Sequence, residues 1–145
     1  MKYKIAKSFP DLGLQTALEF LNWVSKNPEG VISLPTGKTP EYFIKWTKKI
    51  LDGWETDEIK NLRKSNNMGR MKRPNLLGLT FVQIDDFYPI NPTQHNSFYN
   101  YVNEYYIKGF GLDREKALLI NTAEIPLPGE LSCIFPDSKI DLSLR

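Results

Sequence analysis

Alternating apolar and polar positions divide this chain into predicted helices and strands. Residues 10–26 carry apolar side chains at intervals of three and four positions, which predicts a helix. Two runs that are apolar almost throughout, 30–35 and 76–84, are typical of buried strands, and the second is expected to be central in the sheet. An amphipathic helix is predicted between them at about 39–52, and a short strand at 117–120. The order of strand, helix and strand predicts an α/β fold with helices packed on a mostly parallel sheet.

The two ends of the chain carry weaker patterns. Residues 2–7 alternate enough to predict a short edge strand. Nothing periodic follows residue 121, where three prolines interrupt the sequence. The number of elements is low for a complete doubly wound domain. We therefore divide the chain into an incomplete Rossmann-like α/β portion at 1–125 and a segment at 126–145 that is either an irregular tail or the start of a missing portion.

A helix is also predicted after residue 97, where aromatic side chains recur at helical spacing (Phe98, Tyr101, Tyr105, Tyr106). Such a stripe is more typical of a core or an oligomer face than of a stacking platform. The segment 52–73, by contrast, is dominated by charge, with Ile59 and Leu62 as its only aliphatic residues. We expect it to contribute little to the core. Its basic half is either a patch for an anionic ligand or, as we favour, a solvated helix and loop.

Composition narrows the classes of function. A hydrophobic share of 41% and a charged share of 25% fit one soluble globular domain in a chain of 145 residues. A formal charge of +2 gives no indication of nucleic-acid or membrane binding. The single cysteine, Cys133, excludes an internal disulfide, and the single histidine, His95, excludes a multi-histidine metal centre. No apolar run reaches membrane-spanning length, so we expect a cytoplasmic protein.

The first apolar run ends in a turn that is suited to binding an anion. Residues 30–42 read GVISLPTGKTPEY, a strand, a small-residue turn and a helix start, which leaves N–H groups unpaired at the positive end of a helix dipole. Thr39 is predicted to cap the helix and Pro40 to open it. Gly37 permits close approach of a ligand, and Lys38 adds a cation. The alternative is an ordinary strand–turn–helix unit without a ligand, and the spacing is not that of a Walker A loop.

The central apolar run ends at two adjacent carboxylates, Asp85 and Asp86. Ligands of open parallel sheets bind beyond the carboxyl ends of strands, so these side chains and the Gly37 turn face one crevice if their strands are neighbours. Neighbouring side chains point in different directions, so at most one of them faces a substrate at close range. An aspartate at this position can serve as a general base, and the alternative is that Asp86 caps the following turn.

Three motifs together resemble the glucosamine-6-phosphate deaminase (isomerase) family, whose wider superfamily includes 6-phosphogluconolactonases. They are LPTGKTP in the turn, FVQIDDFYP at the end of the central strand and SFYNYVNEYYI in the next helix. The resemblance covers most of 1–125 and is most specific at 32–43 and 81–102. It implies a phosphosugar ligand whose phosphate is bound by Thr36, Gly37, Lys38 and Thr39. Lys38 replaces the second glycine that is usual in the family.

The same resemblance implies that Asp85 is the general base of an aldose–ketose isomerisation that accompanies loss of the amine. Asp86 and Phe87 replace a glutamate and a tyrosine of the family, and Asp86 is counted with Asp85 as a catalytic candidate. Such proton-transfer chemistry requires no metal or organic cofactor. Family members are often oligomers, so the resemblance leaves a homo-oligomer open. The expected partner is a small phosphosugar, with neither nucleic acid nor membrane.

Departures from the family limit what the resemblance implies. The segment 52–75 is longer than is usual, and the later GxGxDGHIAF-type motif, which carries the histidine assigned to ring opening, has no counterpart. No role is carried over to His95. The chain resembles only the N-terminal half of such an enzyme and is expected to be inactive alone. The alternatives are a 6-phosphogluconolactonase-like hydrolase, which Phe87 disfavours because those proteins favour arginine there, and a phosphosugar-binding regulatory module that lacks catalysis.

Overall fold

A computed structural model describes residues 4–126 together with residues 129, 133, 136 and 137. Its sheet contains three parallel strands in the order β1–β2–β3, namely β1 Val31–Ile32, β2 Thr80–Val82 and β3 Ala117–Leu118. The register pairs Ile32 with Phe81 and Phe81 with Ala117. The predicted α/β class and parallel sheet are confirmed, and β2 is the central strand. Each strand is shorter than the apolar run that predicted it.

Helices flank this sheet. They are α1 Phe9–Lys26, α2 Glu41–Asp52, α3 Asp57–Ser65 and α4 Phe98–Tyr101, and α4 continues directly into a π-helical stretch at Val102–Lys108. Short 3₁₀ turns at Arg114–Lys116 and Thr122–Glu124 lie on either side of β3. Within residues 4–126 and the four isolated positions, no helix is both long enough and apolar enough to cross a bilayer.

The predicted first helix is confirmed, and its contact with α2 depends on a glycine. The Ser8 side chain accepts a hydrogen bond from the Asp11 N–H at the start of α1, and the buried face of the helix contains Ala17, Leu21 and Val24. At Gly13 the two helices approach so closely that an added Cβ would lie 2.5 Å from the Tyr42 Cβ. Only a residue without a side chain fits this crossing.

The core lies on one face of the sheet. Ile32, Phe81 and Ala117 point toward it, and they belong to one apolar cluster with side chains of α1, α2 and the π-helical stretch. Side chains alternate between the faces of a strand, so Val31 and Leu118 lie on the opposite face. Each of these two side chains is 65% exposed. The described residues therefore cover one face of the sheet and leave apolar side chains exposed on the other.

The strand predicted at 2–7 is wrong for residues 4–7, which form no strand, while residues 2 and 3 lie outside the described part of the chain. This segment bonds to α1 instead of the sheet. The Lys4 ammonium pairs with Glu19 at 2.6 Å, and the Lys7 N–H donates to the Asp11 carboxylate at 2.8 Å. Polar contacts with the helix therefore replace a ladder of strand hydrogen bonds. The predicted tail at 126–145 lies outside the described residues apart from positions 126, 129, 133, 136 and 137.

The expectation that 52–73 contributes little to the core is also wrong. Trp54 and Ile59 are buried, and Arg63 is only 5% exposed. The Arg63 guanidinium lies 3.9 Å from the centre of the Trp54 ring and donates to the carbonyl oxygens of Trp54 and Met71. A guanidinium plane stacks on an aromatic ring as an apolar group would. The basic half of this segment therefore includes at least one cation that is structural.

Candidate functional site

A cavity of about 670 Å³ lies beyond the carboxyl ends of β1 and β2. One wall comes from the loop after β1 and the first turns of α2, and the other from the residues around the start of α4. The lining residues that carry polar groups or rings are Gly37, Lys38, Glu41, Lys45, Phe87, His95, Asn96, Ser97, Phe98, Tyr101 and Tyr105. The cavity lies where the sequence predicts a crevice for neighbouring parallel strands, but of the groups expected to face it only the Gly37 turn lines it, and neither Asp85 nor Asp86 does.

The loop after β1 turns sharply at Gly37, whose φ of +83° lies in the left-handed region that favours glycine. α2 begins at Glu41, and Pro40 is its N-cap without a side-chain hydrogen bond. The predicted cap at Thr39 is therefore wrong, as is the placing of Pro40 inside the helix. Thr39 lies instead within a turn that is closed by a 3.3 Å hydrogen bond from the Glu41 N–H to the Lys38 carbonyl.

Four consecutive backbone N–H groups of this loop are free. Within the described part of the chain, the N–H groups of residues 36–39 donate to no acceptor. They lie at the start of α2, where the helix dipole is positive. The loop therefore has N–H groups without an acceptor among the described residues, and the binding of an anion by Thr36, Gly37, Lys38 and Thr39 stays a prediction. Of these four residues, Gly37 and Lys38 line the cavity, whereas Thr39 lines a second, mostly apolar groove of about 460 Å³ between α1 and α2.

The loop carbonyls, unlike its N–H groups, are held by side chains. The Tyr101 hydroxyl donates to the Gly37 carbonyl at 2.8 Å, and the Tyr106 hydroxyl donates to the Pro35 carbonyl. Burial, with smaller contributions from Tyr105 and Glu41, raises the pKa of Tyr101 to about 12. Burial also raises the pKa of Tyr106. The aromatic spacing predicts a core or oligomer stripe for these tyrosines and gives no sign of the contact of their hydroxyls with the loop.

Cations predominate on the α2 side of the cavity. Lys45 pairs with Glu41 at 2.5 Å, one turn apart on α2. The hydrogen bond and the charge of Lys45 lower the pKa of the Glu41 carboxyl, and those of Glu41 raise the pKa of Lys45. Lys38 is exposed and forms no ion pair with any described residue. The charge of Lys38 also acts on Glu41, where it adds to the larger effect of Lys45 in lowering the pKa of the carboxyl.

Asp86 holds the start of α4. Its carboxylate accepts hydrogen bonds from the Ser97 hydroxyl at 2.9 Å and from the N–H groups of Phe87, Phe98 and Tyr99 at 2.8, 3.0 and 2.9 Å. Ser97 is fully buried, and its hydroxyl oxygen accepts from the Asn100 N–H. Both carboxylate oxygens are thus occupied by donors that order the α4 wall of the cavity. These contacts of Asp86 are those of a residue that caps the following turn. A catalytic role for Asp86 stays a prediction.

Asp85 has a different environment. Its side chain is exposed, it does not line the cavity, and no described residue donates a hydrogen bond to its carboxylate. Its backbone is held by Gln83, which the sequence analysis missed. The Gln83 amide donates to the Asp85 carbonyl at 2.8 Å and accepts from the Ile120 N–H after β3 at 3.1 Å. Asp85 therefore lies just beyond the carboxyl end of β2, and its role as a base stays a prediction.

His95, to which no role was assigned, lines the cavity beside Asn96. Residues 4–126 and the four isolated positions contain no group of three or more histidine, cysteine, aspartate or glutamate side chains that could hold a metal ion. The polar groups of the lining residues are backbone N–H donors, two lysines, a glutamate, tyrosine and serine hydroxyls, the Asn96 amide and one imidazole. Such a set favours an anionic ligand with hydroxyl groups.

No protein-family model matches the sequence, and no curated protein matches it either. Among solved structures, the chain is similar to a monomeric glucosamine-6-phosphate deaminase that is described as a missing link of the NagB superfamily. The TM-score is 0.61, and the sequence identity is 18%. The match covers 88% of this chain and 45% of that protein, so the chain spans less than half of its length. At this identity the likeness concerns the fold, a partial Rossmann-like arrangement.

Proposed function

We propose that this chain is the N-terminal, phosphosugar-binding part of a glucosamine-6-phosphate deaminase-like enzyme. Such an enzyme isomerises an aldose to a ketose with loss of ammonia. The observation that carries the proposal is the cavity beyond β1 and β2, which Gly37 and Lys38 of the loop line on one side and residues 95–98 line on the other. The motifs at 34–40 and 81–89, from which the resemblance arose, lie on these two strand ends.

The phosphate docks at the loop of residues 36–39. Four free N–H donors at a helix start and the unpaired ammonium of Lys38 favour a dianion over a neutral group. Lys38 stands in place of a glycine of the family. Because its side chain is exposed and forms no ion pair with the described residues, it approaches the phosphate from the solvent side. The sugar hydroxyls then lie toward the opposite wall of the cavity.

Asp85 moves a proton between C1 and C2 of the opened sugar. Its carboxylate is exposed and accepts no hydrogen bond from the described residues, so it is free to take up a proton. Gln83 and the bonds of the adjacent Asp86 fix its backbone position. A general base must reach the proton that it removes, which here requires the side chain to turn toward the bound sugar. No metal or organic cofactor is required for this step.

A second candidate function is a phosphosugar-binding module without catalysis. One specific observation favours it, namely that Asp85 does not line the cavity. The two candidates share the anion loop and differ in turnover. Because the chain spans only 45% of the similar deaminase, we expect this chain alone to bind the ligand without releasing ammonia.

Calorimetric titration of the chain tests the shared part of the proposal. We expect glucosamine-6-phosphate to bind and glucosamine not to bind, because the loop recognises the phosphate. Lys38→Ala should weaken binding by about three- to tenfold, the effect of losing one charge-assisted contact at an exposed site. Lys72→Ala, which removes an exposed lysine that lies far along the chain from the loop and also forms no ion pair with the described residues, is the matched control and should bind as the unaltered chain does. Equal binding of glucosamine and its phosphate would contradict the proposal.

Ammonia release from glucosamine-6-phosphate by the complete gene product separates the two candidates. A positioned general base contributes about 10²–10⁴ in rate, so Asp85→Asn should reduce turnover by that factor. Phosphosugar binding should persist in this variant, since Asp85 does not touch the loop. If Asp85→Asn released ammonia at the unaltered rate, Asp85 would not be the general base. Binding without any turnover by the unaltered product would favour the non-catalytic module.

A further inference from the structure

Two tyrosines on one helix hold two peptide groups of the anion loop. The Tyr101 hydroxyl donates to the Gly37 carbonyl, and the Tyr106 hydroxyl donates to the Pro35 carbonyl. The loop is otherwise exposed at Pro35, Gly37, Lys38 and Thr39. These contacts join it to residues more than sixty positions later in the chain. The tyrosine hydroxyls are therefore the described side-chain groups that fix the path of this part of the loop.

Each hydroxyl also fixes an N–H group. In a trans peptide the carbonyl and the N–H of one planar unit point in opposite directions. The Pro35 carbonyl shares its peptide unit with the Thr36 N–H, and the Gly37 carbonyl shares its unit with the Lys38 N–H. When the two carbonyls are drawn toward Tyr106 and Tyr101, the two N–H groups are turned away from the helix. These N–H groups have no acceptor among the described residues.

The π-helical stretch makes the double contact feasible. In an α-helix, residues five positions apart lie about 140° apart around the axis and cannot both face one loop. Hydrogen bonds between residues five positions apart, as in the stretch Val102–Lys108, bring such residues onto one side. Tyr101 directly precedes this stretch and Tyr106 lies within it, and their ring centres are 6.0 Å apart. The π-helical geometry therefore accounts for the contact of both tyrosines with one loop.

We infer that Tyr101 and Tyr106 are positioning residues that orient the N–H groups of Lys38 and Thr36 toward a bound phosphate. The inference rests on the proposed function, since it assigns the tyrosines to the anion loop of that site. Their hydroxyls act on the ligand through the loop backbone. Both side chains are partly or wholly buried against rings of the core, so the donors are fixed before a ligand arrives. A preformed set of donors loses little freedom on binding.

Removal of the hydroxyls one at a time tests this inference. Inorganic phosphate is titrated into the chain and into its Tyr101→Phe and Tyr106→Phe variants, and amide resonances are followed by NMR. We expect each variant to bind phosphate about three- to tenfold more weakly, the usual effect of one hydrogen bond. The amide resonance of Lys38 should respond less to phosphate in Tyr101→Phe, and that of Thr36 less in Tyr106→Phe. This pairing is a signature that a general loss of stability would not produce.

Tyr99→Phe is the matched control on the same helix. The Tyr99 hydroxyl accepts from Arg114 and does not line the cavity, so phosphate affinity should be unchanged. If the unaltered chain fails to bind phosphate or glucosamine-6-phosphate, the proposed function fails. If the unaltered chain binds and both Tyr101→Phe and Tyr106→Phe bind equally well with unchanged amide responses, the positioning inference alone is overturned. Tyr101 is half-buried, so its variant keeps the test valid if Tyr106→Phe does not fold.

Discussion

At the residue scale, the two adjacent aspartates show how neighbours in sequence acquire different environments. Asp86 accepts four hydrogen bonds, three of them from backbone N–H groups, whereas the Asp85 side chain is exposed. The sequence predicts that the pair ends a central strand, and it offers capping as an alternative to catalysis. It named Asp86 for the cap but could not show these bonds, because most of the donors come from Ser97 and the residues after it. Only the folded loop brings these groups together.

Stability measurements should separate the two aspartates. Asp86→Ala leaves the Ser97 hydroxyl and the N–H groups of the first turn of α4 without their acceptor. We expect the free energy of unfolding to fall by about 2–3 kcal/mol, since hydrogen bonds to a charged group are stronger than average. Asp85→Ala, the adjacent control, should change it by less than about 0.5 kcal/mol. Urea denaturation measures both. Equal effects would mean that the Asp86 bonds do not stabilise α4.

At the element scale, the sequence predicted those features that depend on local pattern. The helix at α1 and the order of the strands follow from apolar spacing, which burial imposes directly. The small number of aliphatic residues in 52–73 did not predict its contribution to the core. That contribution comes largely from Trp54 and the Arg63 guanidinium, which stack on each other. The π-helical stretch could not be predicted either. Its aromatic spacing fits an α-helix equally well, and the spacing does not show that Tyr101 and Tyr106 both contact the loop.

The crossing of α1 and α2 gives a prediction at the same scale. Alanine is a better helix former than glycine by about 1 kcal/mol, so Gly13→Ala would stabilise an isolated helix. In the fold, its Cβ would lie 2.6 Å from the Tyr42 carbonyl carbon and 2.8 Å from the Phe43 nitrogen, which are backbone atoms and cannot rotate away. We expect a net loss of about 1–3 kcal/mol in the free energy of unfolding. Thermal or urea denaturation measures it.

Ser25→Ala provides the control for this substitution. Ser25 lies on the exposed side of α1, and its hydroxyl bonds only to the Asn22 carbonyl of its own helix. The substitution should change the free energy of unfolding by less than about 0.5 kcal/mol. A Gly13→Ala variant as stable as the Ser25→Ala variant would show that α1 and α2 can move apart without a loss in the free energy of unfolding.

At the scale of the whole molecule, the described residues resemble one side of a doubly wound domain. Helices cover the face of the sheet that carries Phe81, while Val31 and Leu118 remain exposed on the other face. The similar deaminase is more than twice as long as the matched part. The sequence predicted an incomplete fold from the small number of elements. The sequence could not predict which face of the sheet stays open, because that depends on the face over which each helical connection between two strands passes.

The open face should favour self-association of this chain in isolation. Exposed apolar patches on a sheet promote contacts between molecules. We expect the double variant Val31→Thr, Leu118→Thr to associate less at high concentration, since threonine has the β-branched shape that suits a strand and carries a hydroxyl. Sedimentation velocity over a range of concentrations measures the effect. Threonine substitutions at two exposed apolar positions of α1, Leu12→Thr and Phe9→Thr, provide a comparison outside the sheet, and an equal effect there would show that the open face is not the cause.

The parallel sheet also sets the order in which this chain can fold during synthesis. Val31 pairs with Thr80 and Phe81 with Ala117, so each pairing closes a long loop before any ladder hydrogen bond is gained. Helices α1, α2 and α3 all leave the ribosome before β2. The loop at residues 35–37 is held by Tyr101 and Tyr106, which emerge later still. A nascent chain that ends before α4 therefore contains every residue of the anion loop but lacks the contacts that shape it.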